Sequence, residues 1–216
     1  MPATTTRNRS VPTVSGVEQV VLLDEDGAAV GTADKSGVHG PDTPLHLAFS
    51  CYLFDADGRL LVTRRAFGKT TWPGVRTNTC CGHPGPGEPI DAAVHRRLAS
   101  ELGVHGVTLE LVLPRFRYRA VMADGTVEHE LCPVFRGVLT GPVAVPEPDP
   151  TEVAECWWQP WAEFVAAADP RGDGAADPLS PWGQVQVAEL TALGPDPLHW
   201  PVGDAAALPP AARLAV

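Results

Sequence analysis

The segment that most constrains the fold is a long irregular loop that runs directly into a regular helix pattern. The loop occupies residues 67–89 and is rich in Gly, Pro, Thr and Asn. After it, apolar side chains recur every fourth residue at Val94, Leu98 and Leu102, and Gly103 follows as a stop signal. This spacing predicts a helix over residues 91–102. Because a loop of this length is seldom only a connection, we expect it to contribute to a binding or catalytic site.

The rest of the chain has mainly strand patterns. Apolar and β-branched runs bounded by Asp-Gly and similar turn signals predict strands, and two later segments have helical character. The predicted strands are residues 17–24, 46–54, 59–65, 107–113, 115–122, 126–130, 132–138 and 155–159, and the later helices are 162–168 and 182–193. This order predicts an α+β fold, an α/β/α sandwich with a mixed β-sheet between helices.

The composition restricts the ligands and the compartment. Sixteen Lys and Arg against 26 Asp and Glu leave a net charge of −10, which argues against a general nucleic-acid binder. An anionic substrate would need local basic side chains or a metal ion. The five cysteines form no CxxC pair and no even disulfide set, so we expect a reducing, cytoplasmic compartment. No segment resembles a secretion signal or a membrane span, and we expect no membrane partner.

Three regions are expected along the chain. Residues 1–16 read as a flexible N-terminal tail, and residues 17–193 read as one domain. Residues 194–216 form a Pro- and Ala-rich C-terminal extension for which the pattern predicts no secondary structure.

The loop and its helix together resemble the Nudix box, G-x5-E-x7-R-E-U-x-E-E-x-G-U, in which U is apolar. The segment GHPGPGEPIDAAVHRRLASELGV, residues 82–104, matches at Gly82, Glu88, Arg96, Leu98, Glu101, Gly103 and Val104. It departs where Arg97 and Ser100 replace two glutamates. In Nudix hydrolases these glutamates hold magnesium against a diphosphate. The resemblance therefore implies the Nudix fold but not hydrolysis.

The flanking motifs are similar to those of the type I isopentenyl-diphosphate isomerases. They are HGPDTPLHLAFS at 39–50, RRAFGKTTWPGVRTNTCCGHP at 64–84, RYRA at 117–120, VEHELCPVF at 127–135 and LSPW at 179–182. Their order and spacing extend the resemblance over residues 17 to 190. It implies a metal-dependent enzyme of isoprenoid biosynthesis. Such an enzyme interconverts isopentenyl and dimethylallyl diphosphate by protonation and deprotonation through a tertiary carbocation.

Three imidazoles and two carboxylates within these motifs have the composition of a divalent-metal site. Glu128 and Glu130 are two apart in a predicted strand and project to one face, whereas His129 points the other way. The full candidate set is His39, His46, His83, Glu128 and Glu130. Any one of these histidines alone reads more readily as an ordinary surface or loop residue. The family spacing favours the ligand interpretation for the set, and its composition does not choose between Mn, Mg and Zn. The resemblance also implies that Glu101 helps to hold Mg with the diphosphate.

The resemblance places a proton donor and a proton acceptor on opposite sides of the substrate double bond, at Cys81 and Glu130. One group must protonate the terminal methylene, and the other must remove a proton from the allylic carbon. Trp182 matches the family residue that stabilises the carbocation with its ring face, although a buried core tryptophan is the alternative. Tyr118 has an auxiliary role, either as a hydrogen-bond partner of the glutamate or as a residue that fills a strand. We expect Cys80 to pack in the interior, because adjacent residues seldom face one site.

Four basic residues match family positions around the diphosphate: Lys35, Arg65, Lys69 and Arg97. Arginine suits bidentate contacts with phosphate, but an ion pair with Glu101 one helical turn away is the alternative for Arg97. Two other functions are also open, a Nudix pyrophosphohydrolase with a substitute base and a non-catalytic metal-binding domain. The expected partner is a small-molecule diphosphate, bound by a monomer or a weak homodimer without nucleic acid.

Overall fold

A computed structural model gives the structure of residues 18–140, 145–169 and 177–213, so the predicted tail at 1–16 lies outside the described residues. The strands are β1 Gln19–Leu23, β2 Ala29–Asp34, β3 His46–Leu47, β4 Phe49–Asp55, β5 Arg59–Arg65, β6 Arg76–Thr77, β7 Cys80–Gly82, β8 Thr108–Leu113, β9 Arg117–Val121, β10 Val127–Leu131, β11 Val134–Leu139 and β12 Val153–Pro160. The helices are α1 Ile90–Leu102, α2 Trp161–Ala167 and α3 Pro181–Leu193, and short 3-10 turns follow at Pro197–His199, Ala205–Ala207 and Pro210–Ala212.

The described strands form two mixed sheets. The first has the order β2-β1-β3-β10-β9, and the second has the order β12-β5-β4-β11-β8, with β6 beside β5 and β7 beside β4. The β3–β10 and β4–β11 pairs are parallel. The predicted strand 46–54 is divided at Ala48, so that its start joins the first sheet and its remainder joins the second. The α+β sandwich is confirmed, but the single sheet expected inside it is two sheets.

Strand β4 lies at the centre of the sandwich and is buried along its whole length. Phe49, Cys51 and Leu53 share one core cluster with the apolar face of α1. Tyr52 and Phe54 belong to a second cluster with residues of α2 and α3. A strand covered on both faces needs a nearly continuous apolar sequence, which is why this segment shows so little alternation.

Helix α1 confirms the helix predicted over residues 91–102, with a start one residue earlier at Ile90. It ends because Gly103 adopts a left-handed conformation, φ 63°, which costs glycine little. The Gly103 N–H donates to the Ala99 carbonyl at 3.0 Å, and the Val104 N–H donates to the Leu98 carbonyl at 3.1 Å. These two bonds pair the Leu98 and Ala99 carbonyls near the end of the helix and fix the direction in which the chain leaves it.

Two short strands and one edge strand differ from the prediction. The segment 67–89, predicted as a loop, contains β6 and β7. Strand β7 pairs with β4 and aligns Cys81 with Ser50. Strand β2 was not predicted, because nearly all its residues are exposed and its sequence lacks alternation. The other predicted strands and helices are present, with ends shifted by a few residues.

The C-terminal extension packs onto the domain, which the sequence did not predict. The Trp200 ring is buried against the rings of Phe54 at 5.6 Å and Trp161 at 5.3 Å. Leu208 and Ala212 are buried in the cluster that includes α1. In the part of the chain that is described, no helix has the length and hydrophobicity needed to cross a bilayer.

Candidate active site

A cavity of about 350 Å³ is lined by residues from both sheets, from α1 and from α3. Most of the predicted site residues form its wall: Lys35, His39, Arg65, Lys69, Cys81, His83, Arg97, Tyr118, Glu128, Glu130 and Trp182. His46 is fully buried beside the other histidines. Glu101 instead lines a smaller space of about 40 Å³ that shares Arg65, Lys69, Cys81 and Arg97 with the main cavity. The fold thus assembles residues from distant motifs around one space.

Four of the five predicted metal ligands converge at one end of this cavity. Each of His39, His46, His83 and Glu130 offers a ligand atom, and these atoms lie within 4.8 Å of one another. Parallel pairing of β3 with β10 makes His46 and Glu130 register partners, and His83 follows directly after β7. The fifth predicted ligand, Glu128, is not part of this group.

The donor atoms of this group could hold a divalent cation. His46 Nδ1 donates to the Pro44 carbonyl at 2.9 Å, which leaves the Nε2 lone pair free for a metal. The buried Nε2 atoms of His39 and His46 have no hydrogen-bond partner, and leaving a buried polar atom unpaired is costly. His83 Nε2 lies 3.0 Å from Glu130 Oε1. Three imidazole nitrogens and a carboxylate oxygen therefore fit a divalent ion.

Glu128 and Glu130 share the Tyr118 hydroxyl. They project to one face of β10, and that hydroxyl lies 2.8 Å from an Oε2 atom of each. Burial and the charge of Glu130 raise the pKa of Glu128 to about 7. Burial opposes ionisation of Glu130 as well, but the His46 imidazole, with its Nε2 3.6 Å from Glu130 Oε1, and the hydrogen bond with His83 outweigh it and hold the pKa of Glu130 well below its usual value. The environment therefore separates the two carboxyl groups into one that readily takes a proton and one that stays ionised.

The thiol of Cys81 is placed in the cavity wall by β7. Its Sγ lies 3.2 Å from Asn78 Oδ1 and 3.3 Å from Ser50 Oγ. Burial is the main reason why the pKa of Cys81 rises to about 12, so the group carries its proton at neutral pH. Cys80 points to the opposite side, where it is buried in the cluster with α1 and its thiol lies 3.8 Å from Glu101. The alternation of a strand thus separates the two neighbouring cysteines.

Trp182 is in the first turn of α3, where Ser180 caps the helix by accepting a hydrogen bond from the Gly183 N–H. Only 2% of the residue is exposed, yet it lines the cavity. The Trp72 ring approaches it in a T-shaped arrangement at 5.8 Å, and the Tyr118 ring lies at 6.0 Å. Trp182 is therefore both a core residue and part of the cavity wall.

The four predicted basic residues lie around the cavity, and two carboxylates that the sequence did not indicate neutralise three of them. Glu152 forms ion pairs with both Lys69 and Arg97, and Glu18 pairs with Lys35 at 2.6 Å. Neither glutamate belongs to a motif, so no local sequence signal could have identified it. Arg97 also pairs with Glu101, as its alternative interpretation anticipated. Arg97 Nε is buried without a hydrogen-bond partner, which leaves donor capacity for an anion.

Comparisons with known proteins agree with this arrangement. A sequence model of the NUDIX domain matches residues 44–183. The chain is 53% identical to a protein of Saccharopolyspora erythraea over 199 residues, which are 92% of this chain and 99% of that protein. It is 55% identical to one from Mycolicibacterium vanbaalenii (85% and 97% covered) and 47% identical to one from Rhizobium rhizogenes (96% and 96% covered). All three are named isopentenyl-diphosphate Delta-isomerase. The chain belongs to the isopentenyl-diphosphate Delta-isomerase family, within the Nudix fold.

Solved structures resemble the chain at the level of the fold. A crystal structure from Deinococcus radiodurans covers 80% of this chain and 98% of its own with a TM-score of 0.62 at 16% identity. A MutT protein from Methanosarcina mazei covers 70% and 96% with a TM-score of 0.54 at 15% identity. These similarities locate the isomerase-family chain among Nudix-fold proteins.

The Nudix segment of this isomerase-family chain keeps its structural residues. Arg96 donates to both Glu88 carboxylate oxygens, and Glu88 accepts the Gly85 N–H at 2.9 Å. These contacts secure the loop to α1. Ser100, at a departure from the box, is exposed and donates only to the Arg97 carbonyl. The segment thus retains the loop and helix geometry and lacks two of the box carboxylates.

Proposed function

We propose that the chain interconverts isopentenyl diphosphate and dimethylallyl diphosphate, as an isomerase of isoprenoid biosynthesis. The observation that carries the proposal is that a protonated thiol, Cys81, and an ionised carboxylate, Glu130, line one cavity beside an aromatic ring and a basic cluster. A non-catalytic metal-binding domain does not need this combination of groups. A Nudix pyrophosphohydrolase would use the two box glutamates that Arg97 and Ser100 replace.

Cys81 and Glu130 together can supply the one proton and accept the one proton that the isomerisation requires. Protonation of the terminal methylene leaves a tertiary cation, and loss of the allylic proton then moves the double bond. Before substrate binds, the Cys81 thiol carries a proton and the Glu130 carboxylate does not. The thiol can therefore donate one proton and the carboxylate can accept one in a single forward turnover. The Tyr118 hydroxyl lies 2.8 Å from Oε2 of both Glu128 and Glu130; it donates its one hydrogen to one of them and supports the orientation of the pair.

The carbocation has a suitable neighbour in Trp182. An indole face attracts a cation more strongly than the other aromatic rings do, and more so where water is excluded. Almost the whole side chain is buried, so the ring is fixed before substrate arrives. The cationic intermediate is therefore stabilised without reorganisation of the protein.

The diphosphate is assigned to the basic cluster. Lys35, Arg65, Lys69 and Arg97 lie in the wall of the same cavity and offset the net charge of −10 locally once the diphosphate displaces the Glu18 and Glu152 carboxylates that pair with three of them. His39, His46, His83 and Glu130 would hold a divalent ion, Mn, Mg or Zn, and Glu101 would share Mg with the diphosphate. When bound, these ions neutralise negative charge and order the carboxylate and the phosphates. The five cysteines are free thiols, which supports a reducing compartment such as the cytoplasm.

The test is turnover of isopentenyl diphosphate in deuterated water with Mg and Mn present. The expected result is an acid-labile allylic product that carries solvent deuterium, without release of phosphate. Absence of product from metal-loaded wild type would overturn the proposal. Release of phosphate, or of a nucleoside monophosphate from a nucleotide substrate, would indicate a Nudix pyrophosphohydrolase instead.

A further inference from the structure

Asn78 is a buried amide next to the cavity, between β6 and β7, and its orientation is fixed by its own hydrogen bonds. It has 0% exposure. Its Nδ2 donates to the carbonyl oxygens of Cys51 at 3.0 Å and Cys80 at 2.9 Å. Because carbonyl oxygens only accept, the NH₂ group must face them. The amide oxygen is therefore directed to the other side.

Three donors converge on that oxygen. The Thr77 hydroxyl donates to Asn78 Oδ1 at 2.8 Å, the Trp182 indole N–H donates at 3.2 Å, and the Cys81 thiol donates at 3.2 Å. An amide oxygen has no hydrogen to give, so the thiol and the indole must both turn their hydrogens toward it. One atom thus constrains the S–H direction and the rotation of the indole ring.

A second buried group restrains the thiol from another direction. Ser50 Oγ lies 3.3 Å from Cys81 Sγ and accepts a hydrogen bond from Gln186 Nε2 at 2.9 Å. Gln186 in turn accepts from the Tyr52 hydroxyl at 2.8 Å. Ser50, Tyr52 and Gln186 are fully buried. A fully paired buried network of this kind rigidifies what it contacts, so the thiol occupies a defined position.

We propose that Asn78 is a positioning residue, which through its Oδ1 atom holds the Cys81 thiol and the Trp182 ring in fixed relation to one substrate carbon skeleton. The inference rests on the proposed function, because it assigns the two held groups to proton transfer and to cation stabilisation. Proton transfer and cation–π attraction both depend on alignment, and a displacement of about 1 Å can cost about a hundredfold in rate. Asn78 contacts none of the four basic residues through a described hydrogen bond, so we expect its loss to affect the rate more than substrate affinity.

The test compares Asn78→Ala with Thr77→Val. Asn78→Ala removes the shared acceptor, and we expect kcat to fall about a hundredfold while KM stays within about threefold. Thr77→Val removes one donor to the same oxygen, together with the contact of Thr77 Oγ1 with Ser180 Oγ at 2.9 Å, and leaves the acceptor in place, so its kcat should stay within about threefold of wild type. Equal kcat values for wild type and Asn78→Ala, or a loss that appears in KM alone, would overturn the proposal.

A spectroscopic readout separates positioning from a purely structural role. The chain has six tryptophans, and the Trp182 indole signal in a proton–nitrogen correlation spectrum is identified by its absence in Trp182→Phe. In Asn78→Ala this signal should move upfield while the other indole signals stay in place. If Asn78→Ala does not fold, Thr77→Val decides, because loss of a competing donor strengthens the Trp182 bond and should move the signal downfield. An unmoved signal there contradicts the proposal. Inactive wild type would refute the proposed function, whereas the indole shifts test Asn78 independently.

Discussion

The guanidinium carbon of Arg65 lies 5.5 Å from the centre of the Trp182 indole ring. The same guanidinium donates to the Thr71 carbonyl from Nε at 3.1 Å and from Nη2 at 2.9 Å. Arg65 is therefore held over the ring by its own loop. Because a basic residue of the cavity contacts the aromatic wall, the regions assigned to the diphosphate and to the hydrocarbon portion of the substrate meet at this pair.

Replacement of Arg65 by lysine should weaken substrate binding although it keeps the charge. A lysine lacks the planar guanidinium that contacts the indole ring and cannot form both hydrogen bonds to the Thr71 carbonyl. We expect KM for isopentenyl diphosphate to rise about tenfold, equivalent to about 1.4 kcal/mol. Arg64→Lys is the matched control, because Arg64 pairs with Asp177 and Glu155 and does not line the cavity. Similar KM values for the two variants would argue against contact between Arg65 and the diphosphate.

Removal of metal should abolish activity and lower stability together. Treatment with a chelator is expected to stop turnover, and addition of Mn, Mg and Zn one at a time identifies which ion restores it. A ligand that binds only the folded state at a hundred times its Kd contributes about 2.7 kcal/mol, so the melting temperature should rise on reloading. His39→Ala should lose this rise. His199→Ala should keep it, since that side chain is 81% exposed and pairs with Asp196. Retention of the metal-dependent rise in His39→Ala would exclude His39 as a ligand.

Loss of either proposed proton carrier should remove turnover without unfolding the chain. Cys81→Ala and Glu130→Gln are each expected to reduce kcat by at least about a thousandfold, with circular dichroism unchanged. Measured metal content separates the two effects, because Glu130 is also a candidate ligand and Cys81 is not. Cys156→Ala serves as the thiol control, since Cys156 contacts the Pro146 carbonyl and does not line the cavity. Full activity in Cys81→Ala or Glu130→Gln would refute its assigned role.

Glu152 competes with the substrate for positive charge. It pairs with Lys69 and Arg97, and an incoming diphosphate must replace these pairs. Glu152→Gln should therefore bind inorganic pyrophosphate several-fold more tightly, about 1 kcal/mol for a partly screened pair. Calorimetric titration measures the change, and Glu155→Gln is the control because Glu155 is exposed and pairs with Arg64. Weaker binding in Glu152→Gln would instead indicate that the carboxylate supports the anion site through a metal.

The C-terminal extension should contribute strongly to stability. Trp200 is 2% exposed and packs against Phe54 and Trp161, so Trp200→Ala is expected to cost about 3–5 kcal/mol of unfolding free energy. Val202→Ala, two residues later at 59% exposure, should change it by less than about 0.5 kcal/mol. Urea denaturation measures both. Equal midpoints for the two variants would show that the extension does not stabilise the fold.

Segments with a regular apolar period and a glycine or Asp-Gly turn at their ends could be predicted from the sequence. Helix α1 has apolar residues at regular spacing and a glycine at its end, and both signals are local. Strands β4 and β5 follow from an apolar run, an Asp-Gly turn and a second run, and the structure pairs Phe54 with Leu60 across that turn. The grouping of distant residues around one cavity followed from the family resemblance, because no local pattern relates His39 to Glu130.

Other features depend on tertiary contacts and have no local signal. Strand β7 is three residues long and forms because Cys81 pairs with Ser50 of β4. The buried position of Trp200 depends on aromatic partners elsewhere in the chain. Glu152 is an ordinary acidic residue until the fold brings it beside Lys69 and Arg97. For Glu128, the strand period predicted the face that it shares with Glu130 and the Tyr118 hydroxyl, but which of the two carboxylates lies within reach of the histidines depends on tertiary positions that the period does not give.

The parallel pairing of His46 with Glu130 also has a consequence during protein synthesis. The two residues are register partners in β3 and β10, although most of the second sheet and α1 separate them in sequence. Closing so long a loop is entropically unfavourable until the intervening elements are packed, and parallel pairs of this kind form slowly. The nascent chain therefore presents three histidines well before the carboxylate that joins them has left the ribosome. The complete four-residue group can therefore form only after the elements between His46 and Glu130 have packed.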